Sequence, residues 1–405
     1  MLPLVESDRA SQSRREALPD LRSLSLEELA RLVETLGEKP FRAKQLFRWL
    51  HYKGAASLAE MTDLPKGLRE GLSREMSLTT LAQDAVQVSR DGTRKYRFRT
   101  WDGKLIESVY MPDEPGEQPF ETDEDEEGAA RSKRVRRTLC VSTQVGCAMG
   151  CGFCLTATMG LVRNLSAGEI ADQVYRVNAD LRVLGETARE ELARAAPGGK
   201  TRKAEAAIDP LRPLTNLVYM GMGEPLHNYE SVKRSLELLL HPDGANFSHR
   251  HVTVSTSGLV PNIQRLGEET QVKLAVSLNA TTDEQRAKLM PVDKKWNIAA
   301  LLDACRKFPM KTGRRITFEY VLLRGVNDTD ADAERLADLL EGLPAKVNLI
   351  PYNENPGLGF GDPGVERVSA FRRALEQRGL TAMVRKNRGR DISAACGQLA
   401  VAGQP

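Results

Sequence analysis

The chain has 405 residues, of which 41% are hydrophobic, a length and composition typical of a globular protein with a large core and about two domains. The formal net charge is only +3, and no apolar run approaches the roughly 18 residues of a membrane-spanning helix, so we expect no membrane partner. Six cysteines are too few for a disulfide framework at this length, so we expect free thiols and a cytoplasmic protein.

The N-terminal region divides into a polar tail and a set of helices. Residues 1–20 are polar and charged without the apolar core of a signal peptide, and we expect them to be disordered. Residues 21–85 are predicted to be helical, and Ser25 with Glu28 has the spacing of a capping box. One helix mixes aromatic with basic residues, namely Phe41, Arg42, Lys44, Phe47, Arg48, Trp49 and Lys53. This mixture fits two interpretations equally: an aromatic core face with a solvated basic face, or an accessory domain that binds nucleic acid.

Residues 86–135 are predicted to form a β-meander with an acidic insertion. Asp-Gly pairs at 91–92 and 102–103 are typical of hairpin turns. Glu107 lies in the third strand, where the sequence alone favours a solvent-facing position. Residues 113–134 are first acidic and then basic, which predicts a mobile surface insertion without a catalytic role.

Strands and helices alternate through residues 136–385. Six strand-like runs lie at 138–143, 215–220, 251–256, 272–278, 315–322 and 346–351. Ser166 and Glu169 have capping-box spacing at the start of a helix predicted to end at about residue 183. The alternation predicts an α/β fold, a partial (β/α)6 barrel whose chemistry gathers at the carboxyl ends of the strands. Residues 185–212 are predicted to be a second mobile surface insertion, and 386–405 a separate C-terminal segment.

Three cysteines follow the first barrel strand in the pattern C-x3-C-x2-C, at Cys147, Cys151 and Cys154. Thiolates this close together can hold three corners of one [4Fe–4S] cluster and leave the fourth iron open to a small molecule. The alternative is a structural zinc site, but such sites use further ligand pairs, and no histidine lies within forty residues of the triplet. The spacing therefore favours an iron–sulfur cluster with radical chemistry.

Small polar residues recur at the predicted strand ends. The segment Gly-Met-Gly-Glu-Pro at 221–225 follows the second strand, where its glycines would permit a close backbone approach to a ligand and Glu224 would face a cationic group. Alone it is a tight turn, but beside an open iron it predicts a pocket for an amino group. Ser255, Ser277–Asn279 and Asn353 end later strands, which predicts a polar rim suited to a nucleoside or an amino acid. By base rates, Cys140, Cys305 and Cys396 are core residues.

With its cysteine motif, the 221–225 loop and Ala-Ala-Cys-Gly-Gln-Leu at 394–399, the sequence resembles the RlmN/Cfr family of radical SAM RNA methyltransferases. The resemblance covers about residues 25–400 apart from the two insertions. It implies a radical SAM partial barrel in which Cys147, Cys151 and Cys154 bind the [4Fe–4S] cluster and S-adenosylmethionine (SAM) chelates the open iron. The positions that match SAM-binding residues of the family are Gly223, Glu224, Ser255, Ser277, Leu278, Asn279 and Asn353.

The resemblance also implies the reaction, which is methylation at C2 of an adenine in 23S rRNA and of adenine 37 in tRNAs. Cys396 matches the cysteine that becomes methylated, Cys140 the thiol that resolves a covalent RNA adduct, and Glu107 the proton acceptor. The expected partners are the two RNAs and a reducing protein such as flavodoxin, and we expect a monomer. Two alternatives stay open: methylation at C8 of adenine, or a non-catalytic iron–sulfur factor that binds RNA.

Overall fold

The computed structural model describes residues 18–112, 136–195, 211–310, 313–355 and 357–400, with side chains omitted for 188–195. Expectations for residues 1–17, for the insertion at 113–134 and for residues 196–210 fall outside these ranges. Within residues 18–20 the expected disorder is wrong, because a carboxylate oxygen of Asp20 accepts hydrogen bonds from the N–H groups of Arg22 and Thr79. No helix in the described ranges is both long and apolar enough to span a bilayer.

Three α-helices and one π-helical turn, with two short 3₁₀ turns, form the N-terminal unit. The α-helices and the π turn are α1 (Leu26–Thr35), α2 (Phe41–Arg48), the π turn Trp49–Lys53 and α3 (Lys66–Glu75). The predicted capping box forms, since Ser25 Oγ accepts from the Glu28 N–H and the Glu28 carboxylate accepts from the Ser25 N–H. Phe47 is buried, whereas Phe41 is 53% exposed, so the aromatic residues of this region divide between the core and the surface.

A three-stranded antiparallel meander follows and joins the main sheet. Its strands are β1 (Ala82–Val88), β2 (Arg94–Arg99) and β3 (Leu105–Pro112), with glycines at positive φ in both predicted turns. Strand β3 pairs with β4 (Arg137–Cys140), so it is an interior strand of a ten-stranded sheet. For this reason the solvent-facing position expected of Glu107 is wrong, and its side chain is buried.

Six further strands of the ten-stranded sheet run parallel to β4 and follow one another in chain order; β5 (Gln144–Gly146) and β6 (Leu161–Asn164) form a separate two-stranded sheet. The six parallel strands are β7 (Asn216–Tyr219), β8 (Val252–Thr256), β9 (Lys273–Ser277), β10 (Ile316–Leu322), β11 (Ala345–Pro351) and β12 (Thr381–Val384). Strand β4 and strands β7 to β11 confirm the six predicted strands. Strand β12 is a seventh that the sequence did not predict. Because β1 and β12 are the two ends of the sheet, the barrel is partial.

Helices cover the outer face of this sheet. They are α5 (Ala167–Ala195), α6 (Tyr229–Leu240), α7 (Val260–Glu269), α9 (Ile298–Lys307), α10 (Asp330–Leu340) and α11 (Val365–Gln377). The short helix α8 (Asp283–Leu289) instead lies at the carboxyl end of β9, where Leu289 packs with Phe153 and Tyr352. The capping box of Ser166 and Glu169 forms at the start of α5. This helix continues to Ala195, so the insertion predicted from residue 185 begins as helix, in keeping with the helix propensity of its Ala, Glu and Arg residues.

The strands alternate apolar residues toward the helices with polar residues on the opposite face. On β10, Phe318 and Tyr320 belong to the main core, whereas Thr317 and Glu319 are buried polar residues of the other face. This alternation gives the barrel a polar interior. The carboxyl ends of β7 to β11 all open onto the same rim, where the candidate site lies.

Candidate functional site

The cysteine triplet occupies a loop between β5 (Gln144–Gly146) and α4 (Leu155–Thr158). Strand β5 pairs with β6 (Leu161–Asn164), and the Cys147 N–H donates to the Gly160 carbonyl at 2.9 Å. Gly146 has a φ of 75°, and a Cβ there would lie only 1.8 Å from the Gly160 oxygen. This small hairpin therefore requires a glycine at 146 and fixes the start of the cysteine loop.

Two of the three thiols, Cys147 and Cys151, lie in a buried environment that raises their pKa. All six cysteines of the chain lie in the described ranges and none forms a disulfide. Burial raises the pKa of Cys147 to about 12, while the N–H groups of Met149 and Ala148 donate toward its sulfur and lower the pKa. Burial and the charges of Cys154 and Cys147 raise the pKa of Cys151. N–H groups aimed at sulfur stabilise cluster thiolates, so the surroundings of Cys147 fit a ligand of an iron–sulfur cluster.

An apolar wall backs the cysteine loop. Cys151 and Cys154 pack against a buried cluster formed by Phe153, Ala280, Leu289, Met290, Leu323 and Tyr352. The Gly152 N–H donates to the Leu289 carbonyl at 2.9 Å, which ties the loop to the end of α8. Such a wall excludes water from a bound group and so shapes its redox properties.

In the part of the chain that the structure describes, no three His, Cys, Asp or Glu side chains are arranged to hold a single metal ion.

The 221–225 loop lies beside the cysteine triplet, at the end of β7. A Cβ at Gly221 would meet the Val141 carbonyl at 2.7 Å, and one at Gly223 the Gln144 side chain at 2.5 Å. These glycines therefore permit a close approach to the protein's own chain, whereas the sequence led us to expect a close approach to a ligand. The buried Glu224 carboxylate accepts from the N–H groups of Leu226 at 3.0 Å and Ser257 at 2.7 Å.

The other predicted rim residues share the same edge of the sheet. Ser255 lies in β8, Ser277 ends β9 and is followed by buried Leu278 and Asn279, and Asn353 follows β11. Asn279 adopts a left-handed conformation, with φ at 56°, and its Oδ1 accepts from the Val321 N–H at 2.8 Å. The structure therefore brings these positions together, while the Asn279 amide also holds β9 to β10.

Arg286 of α8 organises this rim, and sequence reasoning missed it. Its side chain is fully buried and forms an ion pair with Asp293 at 2.9 Å. The same guanidinium donates to the carbonyls of Leu278 at 3.1 Å and Ser257 at 2.6 Å, and to that of Ser277 at 3.2 Å. One side chain thus fixes the ends of two neighbouring strands. Only the tertiary structure reveals this role.

The two further thiols, Cys140 and Cys396, share one environment near the C-terminal end of the chain. The Arg385 guanidinium donates to Cys396 Sγ at 2.9 Å. Burial and the charge of Cys396 raise the pKa of Cys140 to about 12, and Arg385 lowers it. Cys305 is fully buried on α9, as the core interpretation expects, and Cys140 is buried too. Cys396 departs from that interpretation, since it is only partly buried and contacts a guanidinium.

Glu107 lies on β3, and its side chain is buried. Lys95 Nζ is 3.5 Å from its Oε1, and both side chains are at least nine-tenths buried. Burial raises the pKa of Glu107, whereas Lys95 lowers it. The second carboxylate oxygen, Oε2, makes no hydrogen bond within the described ranges. Lys95 is another residue that sequence reasoning missed, because its partners are distant in the chain.

Comparison with known proteins identifies the family. A family model described as the ribosomal RNA large subunit methyltransferase N-terminal domain matches residues 19–78, and one for the radical SAM superfamily matches residues 197–340. The chain is 61% identical to the dual-specificity RNA methyltransferase RlmN of Anaeromyxobacter dehalogenans, over 96% of this chain and 93% of that protein. The chain belongs to the RlmN family.

Another relative and a solved structure agree with membership of the RlmN family. Dual-specificity RNA methyltransferase RlmN 2 of Myxococcus xanthus is 57% identical over 96% of this chain and 92% of its own. The crystal structure of a radical SAM methyltransferase from Sphaerobacter thermophilus is 45% identical, with a TM-score of 0.76 over 94% of this chain and 99% of that one. The fold is thus the radical SAM partial barrel, and the cofactors of the RlmN family are a [4Fe–4S] cluster and SAM.

Proposed function

We propose that this radical SAM RNA methyltransferase methylates C2 of a specific adenine in 23S rRNA and of adenine 37 in tRNAs. Family membership supports the reaction class. The observation that carries the route through a methylated cysteine is the shared environment of Cys396 and Cys140, with Arg385 2.9 Å from the first thiol. A methyltransferase that passed the methyl group directly from SAM to RNA would need neither thiol.

The residues at the carboxyl ends of the barrel strands suggest where the two cofactors bind. Cys147, Cys151 and Cys154 would hold the [4Fe–4S] cluster, and the rim positions at the ends of β7 to β11 would bind SAM. When bound, the two cofactors supply the methyl group and the radical chemistry that activates it. The residues proposed for SAM are Gly223, Glu224, Ser255, Ser277, Leu278, Asn279 and Asn353. Arg286 would act as a positioning residue, since it fixes the carbonyls of Ser257 and Leu278.

Cys396 is the proposed methyl carrier. Its thiolate accepts a methyl group by nucleophilic displacement. Burial raises the pKa of Cys396, and the guanidinium of Arg385 offsets part of this rise, which favours the thiolate form that the step needs. For the methyl carbon to bond to the adenine ring, the methyl group must lose one hydrogen atom, and the ring must lose the C2 proton and one electron. The hydrogen atom and the electron would pass to the cofactors. The protein is then joined to RNA through the Cys396 sulfur. Release then requires that this carbon–sulfur bond breaks.

Cys140 and Glu107 are the groups proposed for release. Glu107 is a buried carboxylate whose Oε2 makes no hydrogen bond within the described ranges, so it offers a lone pair for the proton leaving adenine C2. The Cys140 thiolate attacks the Cys396 sulfur, a sulfur–sulfur bond forms, and the electron pair of the carbon–sulfur bond goes to the carbon, which gains a proton. The product is a methyl group on adenine and a transient disulfide, which a cellular reductant must reopen.

The N-terminal unit is the proposed RNA-binding region. Its surface combines aromatic rings with cations: Arg42 lies over Phe41, Arg48 over Tyr52 and Lys53 over Trp49. Such surfaces bind folded RNA through phosphate contacts and stacking. Part of the basic face has another task, because Lys44 pairs with Asp243 of the barrel at 3.0 Å. The target base would leave its stack to reach the barrel interior.

We further propose a monomeric cytoplasmic enzyme that receives electrons from a flavodoxin-like protein. Cluster thiolates and the reopening of a transient disulfide both need a reducing compartment.

The test is analysis of nucleosides from cells that lack their own adenine C2 methyltransferase. Expression of the chain should introduce 2-methyladenosine into 23S rRNA and tRNA, and Cys396→Ala should not. If the only product were 8-methyladenosine, the C8 alternative would replace the proposal. If cluster-loaded protein bound RNA but left every adenine unmodified, the chain would be a non-catalytic factor.

A further inference from the structure

The stretch that carries Cys396 begins and ends beside the same buried ion pair. Residues 393–400, which we name the carrier segment, contain no regular helix or strand. At its start, Lys95 Nζ donates to the Ser393 carbonyl at 3.3 Å. At its end, the backbone N–H of Ala400 lies close enough to the Glu107 carboxylate to lower its pKa. Lys95 and Glu107 form an ion pair with each other at 3.5 Å, so both ends of the carrier segment lie close to the same two side chains.

The register of the meander explains why this pair can reach both ends. Val109 of β3 lies opposite Lys95 of β2 and also opposite Cys140 of β4. Glu107 is two residues from Val109 on the same strand, so Lys95, Glu107 and Cys140 share one face of the sheet. The carrier segment therefore lies over the face that holds both the proposed proton acceptor and the proposed resolving thiol. The other cation that acts on Glu107 is Arg97, whose own ion pair is with Asp84.

We propose that Lys95 is a positioning residue that couples the charge of Glu107 to the placement of the carrier segment. This inference rests on the proposed role of Glu107 as proton acceptor. While Glu107 is charged, Lys95 is held between its carboxylate and the Ser393 carbonyl. When Glu107 takes up the proton from adenine C2, Lys95 loses its counter-charge, and the attraction between the Ala400 N–H and the carboxylate weakens. Both ends of the carrier segment then loosen, which frees Cys396 to meet Cys140.

Three other contacts of the carrier segment do not involve the Lys95–Glu107 pair. The Leu155 N–H donates to the Gly397 carbonyl at 2.8 Å, and Thr156 Oγ1 donates to the Leu399 carbonyl. Gln398 Nε2 donates to Asn355 Oδ1 at 3.1 Å. These contacts tie the middle of the segment to the helix after the cysteine loop and to the rim. Neutralising Glu107 therefore loosens the ends of the segment without detaching it.

Hydrogen exchange of the cluster-loaded full chain tests this coupling. In Lys95→Met, which removes the ammonium group, amides of residues 393–400 should exchange about tenfold faster or more, the scale expected for loss of a hydrogen bond to a charged group. Glu107→Gln, which mimics the protonated carboxyl, should give a similar increase. Lys95→Arg should restore protection. Amides of β10 should keep wild-type exchange in every variant.

Lys104→Met is the matched control. This lysine follows the second turn of the same meander, and its side chain makes no hydrogen bond or ion pair within the described part of the chain. Wild-type exchange of 393–400 in Lys95→Met would overturn the inference, as would an equal loss of protection in β10, which would indicate general unfolding. Nucleoside analysis separates the two proposals. If Glu107→Gln loosened the carrier segment yet methylated adenine at the wild-type rate, the proton-acceptor role would be wrong, whereas the coupling between Glu107 and the carrier segment would be supported.

Discussion

Replacing Arg286 by methionine is expected to destabilise the protein strongly. The substitution removes one member of a fully buried ion pair and leaves Asp293, whose side chain is only 3% exposed, without its counter-ion. Three backbone carbonyls at the ends of β8 and β9 lose their donor as well. Breaking a buried pair in this way costs about 3–5 kcal/mol, because a charge stays buried without compensation.

Urea unfolding of cluster-free protein, followed by circular dichroism, measures this loss. The midpoint should fall while the slope stays unchanged, since the surface exposed on unfolding is the same. Arg265→Met is the matched control: this arginine of α7 pairs with Glu230 and Glu269 at the surface, where ion pairs contribute little. We expect its midpoint to stay close to that of the wild type.

Two further measurements sharpen the prediction. Asp293→Asn added to Arg286→Met should recover part of the lost stability, because it removes the uncompensated charge. SAM should also bind more weakly to Arg286→Met, since the strand ends proposed to contact it are no longer fixed. A loss below about 1 kcal/mol for Arg286→Met, in the range of ordinary surface substitutions, would refute the reasoning.

Three further outcomes follow from the site. Cys396→Ala should retain iron and sulfide at wild-type stoichiometry yet yield no methylated adenine in the nucleoside analysis; normal turnover would contradict the carrier role. Cys140→Ala should accumulate a protein–RNA adduct, seen by mass spectrometry as a nucleotide on Cys396, and its absence in the presence of target RNA would contradict the resolving role. Because burial raises the pKa of Glu107, which must be deprotonated to accept a proton, turnover should fall as the pH drops through that raised pKa. Glu107→Gln should slow turnover by roughly 10²–10⁴ and abolish this dependence, and an unchanged profile would contradict its role.

The barrel strands were predictable because each carries a run of apolar residues long enough to stand out. Strand β12 (Thr381–Val384) escaped notice because only one of its residues, Ala382, is buried, and its assignment depends on pairing with β11. Helix α5 was predicted too short because the helix extends into a stretch whose composition resembles an insertion. Element ends are set by helix propensity and tertiary contacts together, so the hydrophobic pattern alone places them poorly.

The cysteine triplet was predictable because its members are neighbours in the sequence and their spacing is that of cluster ligands. The position of Glu107 was not, because its burial depends on the pairing of β3 with β4 across the acidic insertion. Lys95, Arg286 and Arg385 were missed for a similar reason. Each is a charged residue whose role arises from partners brought together by folding, and a charged residue read alone is most often placed at the surface.

The central claim, that three thiols hold a cluster with one open iron, is tested most directly by anaerobic reconstitution with iron and sulfide. The account predicts about four iron and four sulfide per chain. It also predicts an electron paramagnetic resonance signal of the reduced cluster that changes when SAM is added, and release of 5′-deoxyadenosine. Replacing Cys147, Cys151 or Cys154 by alanine should abolish all three. Oxygen-free protein that held tetrahedral zinc in place of iron and sulfide, or a cluster whose signal SAM left unchanged, would contradict the account.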